Sequence, residues 1–375
     1  MRRRTEIACL LRIGVCGLLL QAGTGDPLAA DAWPELPAKN ATVSIPAQEW
    51  PQKPGPRSVD ISIHYPDGTL GSVTKSTGLM LTLHNWGGTD CAGTANPDAL
   101  ARRLDVVAIC VNYLQSGRQA SIEDPEPYDF GYLQGLDALR ALWFVFDGLK
   151  QRKLPFESGR IFATGGSGGG NVTQMVNKLA PRTFACVIDM CGMAKLSDDM
   201  AFNLPGGSGL NARWSQDPKS PNWLSPAAHE IRFVGNRAHL AVTKSLKSSC
   251  RIIVVHGVDD STCQFKEKQE LVANMQAAGL DVEPHFITKD DLDGKVFTSS
   301  GHALGNRTEI VFQVAGKYLE AGHAETSRTR SGPSDFERRD LLVTYPVTGG
   351  NYVISYEAGY PVGWFVRGGE SVPSN

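Results

Sequence analysis

The residues best suited to chemistry lie in the run Gly165-Gly166-Ser167-Gly168-Gly169. A serine hydroxyl becomes a nucleophile when a neighbouring base takes its proton and an acid orients that base, which is the apparatus of acyl transfer. The G-x-S-x-G spacing suits a sharp strand-to-helix turn, with glycines where the backbone leaves no room for side chains. Ser167 then stands at a helix N-terminus, where the dipole favours negative charge. A second run, Gly206-Gly207-Ser208-Gly209, lacks both the fifth glycine and a preceding strand, and reads as loop.

The base and acid should follow the serine in the order acid, then histidine. His229, His239, His256, His285 and His302 lie downstream. His302, in Ser300-Gly301-His302-Ala303, falls between the last strand and the last helix and is the candidate base. His285 sits in a strand pattern, His229 and His239 lie in a long insertion, and His256 marks a strand end. All four read as structural. For the acid, RIIVVHGVDDST offers Asp259 and Asp260 in one turn. The one not used would cap the next helix or bind backbone amides.

An oxyanion site needs two donors aimed at the developing charge. The Gly168 amide is one; the Trp86 amide in His84-Asn85-Trp86-Gly87-Gly88 is the favoured second, with Asn85 the alternative. Asn85, Tyr113, Trp214 and Trp223 are candidates for contact with a substrate. The acidic group Asp290, Asp291 and Asp293 lacks the spacing of a calcium loop and reads as a solvated turn. No metal or cofactor is called for.

These groups need a scaffold, and the pattern supplies one. Val59, Ile61 and Ile63 alternate with polar neighbours, as in a half-exposed strand. Residues 78–83 and 106–111 are continuous apolar runs, suited to strands covered on both faces. Over 131–150, Leu133, Leu136, Leu139, Leu142, Trp143 and Phe146 recur at helical spacing. Strands at 160–164, 184–190, 251–255 and 282–287 then alternate with helices at 171–179, 266–278 and 309–319. That order predicts a layered α/β fold, with a mostly parallel sheet and helices on both faces.

Residues 194–249 exceed an ordinary connection and are expected to form an inserted cap or lid. Residues 31–57 read as an irregular lead-in and 322–340 as a charged linker. The remainder, 341–375, reads as a C-terminal β extension, a hairpin turning at Gly349-Gly350.

The chain of 375 residues is 41% hydrophobic and 20% charged with a formal net charge of −2, which describes an ordinary folded protein. Without clustered basic residues, nucleic acid is not expected as a partner, and the body holds no membrane-length apolar run. Arg2, Arg3 and Arg4, the apolar stretch 13–20 and the small residues Ala29, Ala30 and Ala32 predict a cleaved export signal over 1–30. The protein is therefore expected in the periplasm or outside the cell. Cys91, Cys110, Cys186, Cys191, Cys250 and Cys263 would remain, enough for three disulfides in pairings the sequence leaves open. Oligomeric state is left open too.

GGSGGG, PRTFACVID, HGVDD and GHALG together resemble the catalytic domain of prolyl-oligopeptidase-type serine hydrolases, within the α/β-hydrolase superfamily. YDFGYLQGLDALRAL and TKDDLDGKVF also resemble a bacterial α/β-hydrolase family of undefined function. The resemblance spans about 58–320 and implies an α/β-hydrolase catalytic domain over 58–321 with a Ser167, Asp260, His302 triad. In that class the acid stands four residues after the His of an H-G pair, which favours Asp260 over Asp259. True oligopeptidases carry an N-terminal β-propeller, and the segment before residue 58 is too short to build one. The expectation is therefore a carboxylic ester hydrolase acting on a small or polymer-attached ester. The alternatives are a serine peptidase or acyl-peptide hydrolase, and, from another class, a binding protein whose chemistry has lapsed.

Overall fold

A computed structural model describes residues 33–322 and 327–370. The expected export signal over 1–30 lies outside the described residues. The chain enters through β1 (Ala41–Ala47) and β2 (Arg57–His64), then β3 (Gly78–Leu83), α1 (Pro97–Leu104) and β4 (Val106–Asn112). The long α2 (Tyr132–Gln151) leads to β5 (Ile161–Gly166), α3 (Gly168–Leu179) and β6 (Cys186–Met190). Three short helices follow: α4 (Asp198–Phe202), α5 (Pro226–Arg232) and α6 (Arg237–Ser245). Then come β7 (Arg251–Gly257), α7 (Phe265–Ala277), β8 (Asp281–Ile287) and α8 (Arg307–Leu319). The strands β9 (Leu342–Val347), β10 (Gly350–Ser355) and β11 (Val362–Arg367) close the chain.

The first eight strands form one sheet in the order β1-β2-β4-β3-β5-β6-β7-β8. From β4 to β8 all neighbours are parallel, while β1 and β2 run antiparallel at one edge. Side chains alternate faces along a strand, so Leu79, Leu81 and Ala163 enter one core with α2 and α3. Met80 and Phe162 enter a second core with α1 and α8. Both faces are covered, which is why β3 and β5 read as unbroken buried runs. After β3 the chain steps to β4 on one side and later returns to β5 on the other. At such a reversal the crevice beyond the strand ends opens between two loops.

The structure departs from the sequence reading at the periphery. The lead-in 31–57 carries β1, whose register with β2 runs from Ala41 opposite Ile63 to Ala47 opposite Arg57. The C-terminal part is a three-stranded sheet in the order β11-β10-β9, because Val362–Arg367 adds a strand to the expected hairpin. Its Val343, Ile354 and Tyr356 join the α2–α3 core. Tyr345 donates its hydroxyl to the Lys178 carbonyl, and Tyr356 donates to that of Leu179 at 3.1 Å. The charged segment read as a linker is pinned down: buried Asp335 accepts from the Arg182 amide at 2.7 Å and the Thr183 hydroxyl at 2.9 Å. No helix among the described residues is long and apolar enough to cross a membrane.

Cys91 and Cys110 form a disulfide with Cα atoms 5.7 Å apart, tying the turn after β3 to β4. Cys186, Cys191, Cys250 and Cys263 are buried free thiols. The bond closes a loop with a sequence separation of 19. Reducing it should therefore cost about 3 kcal/mol of stability, read from urea melts of oxidised and reduced protein; identical melts would contradict it.

Three histidines are sealed in this fold without charge. Burial pushes His84 and His256 down to about 4 and His239 to about 3; Lys268 adds to the effect on His256 and Lys178 to that on His239. Below the ordinary histidine value of about 6.5 the unfolded chain binds protons that the folded chain refuses. Stability should thus fall as pH drops from about 6.5 towards 4, by several kcal/mol in total. Denaturant midpoints measured across that window test this, and a flat profile would refute it.

Candidate active site

Ser167 sits between β5 and α3 with φ 53° and ψ −120°, a strained conformation that turns its side chain out of the sheet. Two glycines make the turn feasible. A Cβ on Gly165 would overlap the Gly169 backbone, and one on Gly169 would overlap the Leu83 carbonyl. The elbow therefore presses backbone to backbone against the end of β3. Behind it, Asp189 at the end of β6 accepts from the Gly192 amide at 2.8 Å and from fully buried Lys268 at 2.5 Å.

His302 Nε2 lies 2.9 Å from Ser167 Oγ, and its Nδ1 lies 2.8 Å from Asp260 Oδ2. The other Asp260 oxygen accepts from the Thr262 and Cys263 amides, both at 2.9 Å. Burial works against charge on Asp260. The hydrogen bond and charge of His302, with the Cys263 amide, outweigh it and hold the carboxyl below its ordinary value. The acid is thus ionised and accepts a hydrogen bond from the Nδ1–H of His302, leaving Nε2 free to accept from the serine.

Asp259 has a different task. Its Oδ2 accepts from the Ser300 hydroxyl at 2.7 Å, and its amide donates to the Ser300 carbonyl at 2.8 Å. Asp259 therefore clamps the loop bearing His302 to the turn bearing Asp260. Arg307, at the start of α8, holds the same loop from the far side. It donates to the His302 carbonyl at 3.3 Å and to the Gly93 carbonyl. No motif announces Arg307; its role exists only through that close approach.

The two amides expected to face an oxyanion come together. The Trp86 nitrogen lies 2.7 Å from where a Cβ of Gly168 would stand. As the first residue of α3, Gly168 has no acceptor within the helix for its N–H. Trp86 makes no backbone hydrogen bond through its amide among the described residues. The Asn85 amide, the alternative, donates to Ala92 at 3.1 Å and is engaged. The Trp86 ring is locked too: it stacks on Tyr128 at 4.0 Å and donates to the Ser121 carbonyl at 3.1 Å.

Three of the residues expected to contact a substrate are engaged within the protein. Tyr113 is 1% exposed, stacks on His84 at 4.0 Å and donates to the His84 carbonyl, so it supports the oxyanion turn from below. The Asn85 side chain folds under Gly88 and Gly93 inside its own turn. Trp214 is 8% exposed and donates to the Tyr128 carbonyl at 3.0 Å, which anchors the segment after α4. Trp223 is exposed, and no hydrogen bond or ring contact among the described residues joins it to Ser167, His302 or Asp260. Besides Arg307, the sequence reading does not single out Tyr128 and Arg213. Arg213 donates to the same Ser121 carbonyl at 2.8 Å and so links the segment between α4 and α5 to the Trp86 turn. Two groups could geometrically share a metal ion, Cys191 with His256 and Asp260, and Asp260 with Cys263 and His302. Both draw on the acid that holds the imidazole, so a metal there would compete with the triad.

Asp260→Asn should lower kcat about 10⁴-fold by presenting the wrong imidazole tautomer. Asp259→Asn, which loosens a clamp, should stay within about tenfold of the parent. Steady-state kinetics on one substrate separates the two, and the reverse ranking would overturn the assignment.

Residues 139–318 match the prolyl oligopeptidase family. Among solved structures, the uncomplexed acylaminoacyl peptidase of Pyrococcus horikoshii is similar, at 13% identity and a TM-score of 0.51. The match covers 75% of this chain and 42% of that one. An acylaminoacyl peptidase in complex with Z-Gly-Gly-Phe-chloromethyl ketone matches with the same identity, TM-score and coverage. The orthorhombic crystal form of the Pyrococcus horikoshii enzyme matches at 11% identity and a TM-score of 0.50, over 79% of this chain and 42% of that chain. This chain thus spans less than half the length of those structures, and at such identities the likeness concerns the fold. No curated protein matches the sequence. The chain has the α/β-hydrolase fold, and over residues 139–318 it resembles the prolyl oligopeptidase family.

Proposed function

We propose that this protein is a serine hydrolase, and specifically a peptidase that cleaves peptide or acyl-peptide bonds through an acyl-enzyme. Ser167 Oγ attacks the carbonyl carbon while His302 Nε2 takes its proton. Asp260 stabilises the imidazolium that forms. The Gly168 and Trp86 amides bind the tetrahedral oxyanion, preorganised before charge develops. His302 then gives its proton to the departing amine, and the C–N bond breaks. Water attacks the acyl-enzyme by the same route and releases Ser167.

The carrying observation is the single imidazole that reaches the serine at 2.9 Å and the carboxylate at 2.8 Å beside two unengaged amides. That intact geometry argues against a lapsed binding protein. The choice of amide over ester is supported by the family match over 139–318, which weighs more than the expectation of an ester hydrolase. Activated esters should still turn over, because an alkoxide or phenoxide leaves more readily than an amine. Export is part of the same proposal: the Cys91–Cys110 disulfide suits an oxidising compartment.

The test is kcat/KM on acylated peptide anilides against short nitrophenyl esters, with Ser167→Ala alongside. Both substrates should be cleaved, and Ser167→Ala should lose on the order of 10⁴-fold or more. A fluorophosphonate should label Ser167 in the parent. Turnover of esters with none of amides would return the reading to an ester hydrolase, and undiminished turnover by Ser167→Ala would remove the mechanism altogether.

A further inference from the structure

Ser167 follows the C-terminal end of β5; a second site lies at the opposite ends of the strands. The segment 327–340 returns there, with the Arg330 amide on the Gly159 carbonyl at 2.8 Å, just ahead of β5. Arg182 precedes β6 and Ser249 precedes β7. Between them lies a cavity of about 320 Å³ lined by Arg182, Lys247, Arg330 and Arg338 with the hydroxyls of Ser249 and Ser331, and by no carboxylate. A strand of six residues, roughly 20 Å at about 3.3 Å per residue, separates it from the triad.

The neighbouring acids do not use up this charge. Asp335 lies behind Arg182 at 2.7 Å, and its other oxygen is already held by the Arg182 amide and Thr183. Glu337 is occupied by Ser334 and Lys150 and stands 4.0 Å from Arg330. Asp340 pairs with Arg338 at 3.4 Å on the exposed side. Lys247 has no ion pair among the described residues. Arg330 is 7% exposed; its terminal nitrogens donate to the Gly332 and Ser158 carbonyls, while its Nε, like that of Arg182, is buried without an acceptor. Buried guanidinium donors without acceptors are costly, and an unfilled partner at such a place points to a missing ion or ligand.

We propose that this cavity binds a small tetrahedral oxyanion, phosphate or sulfate, free or as the monoester of a small molecule. The cations that line the cavity come from three separate segments, around 182, 247 and 330–338. One guanidinium fork satisfies a carboxylate, whereas several donors from several directions suit a tetrahedral dianion. The cavity also has room for a small group beyond the oxyanion itself.

Inorganic phosphate titrated into the full chain, with chloride holding ionic strength constant, tests this by melting temperature and by calorimetry. Phosphate should raise the melting temperature saturably and give a one-site isotherm. The exposed-side variants Lys247→Ala and Arg338→Ala should each weaken binding by at least about tenfold. Their hydrolysis of a nitrophenyl ester should be unchanged, so failure here is distinguishable from failure of the catalytic reading. Glycerol phosphate binding more tightly than phosphate would assign the monoester, and equal affinity the free ion. Identical melting in phosphate and chloride, equal binding of citrate, or undiminished binding by both variants would overturn the proposal.

Discussion

Everything at the catalytic end rests on one contact of backbone against backbone, where the elbow after β5 presses on the end of β3. Gly169 lies against the Leu83 carbonyl and Gly168 beside the Trp86 nitrogen. Only at that separation can amides from two chain segments 82 residues apart point at one oxygen (168 − 86 = 82). A single methyl group would wedge them apart, so the glycines set the distance between donors as much as they permit the turn. The strained φ of Ser167 is sustained because β3, β6 and α3 hold the residues on either side.

The loops that bring the remaining groups have no regular structure of their own, and each is held from outside. Tyr113 and the disulfide fix the turn after β3 from below. Tyr128 and the Ser121 carbonyl fix the Trp86 ring, and Arg213 carries that restraint into the segment between α4 and α5. Asp259 and Arg307 hold the histidine loop from two sides. The placing of these groups is therefore spread over side chains outside the Ser167–His302–Asp260 cluster, as expected where donors must be in place before charge develops.

Which features could be read in advance follows from how local their causes are. The elbow, the acid turn and the histidine loop are each written in a handful of adjacent residues, and the alternation of strands and helices is a matter of pattern. Asp260 and Asp259 were separable only by a class spacing, because the distinction is made by Ser300, some forty residues away. Tyr113 and Trp214 look like residues of a binding mouth, since a polar-tipped ring suits one. Their burial depends on His84 and Tyr128 stacking or bonding against them, which no window of sequence contains. The strand in the lead-in escaped notice because Pro46 and the surrounding alanines disguise an edge strand, where a missing donor is tolerated.

The small C-terminal sheet is remote from the nucleophile, yet both touch α3. Ser167 stands at that helix's first turn, and the hydroxyls of Tyr345 and Tyr356 take up carbonyls of its last. Twelve residues of helix make a rod of roughly 18 Å between them. Anything that grips, strains or tethers the tail of this protein is thus attached to one end of a lever whose other end carries the reacting oxygen.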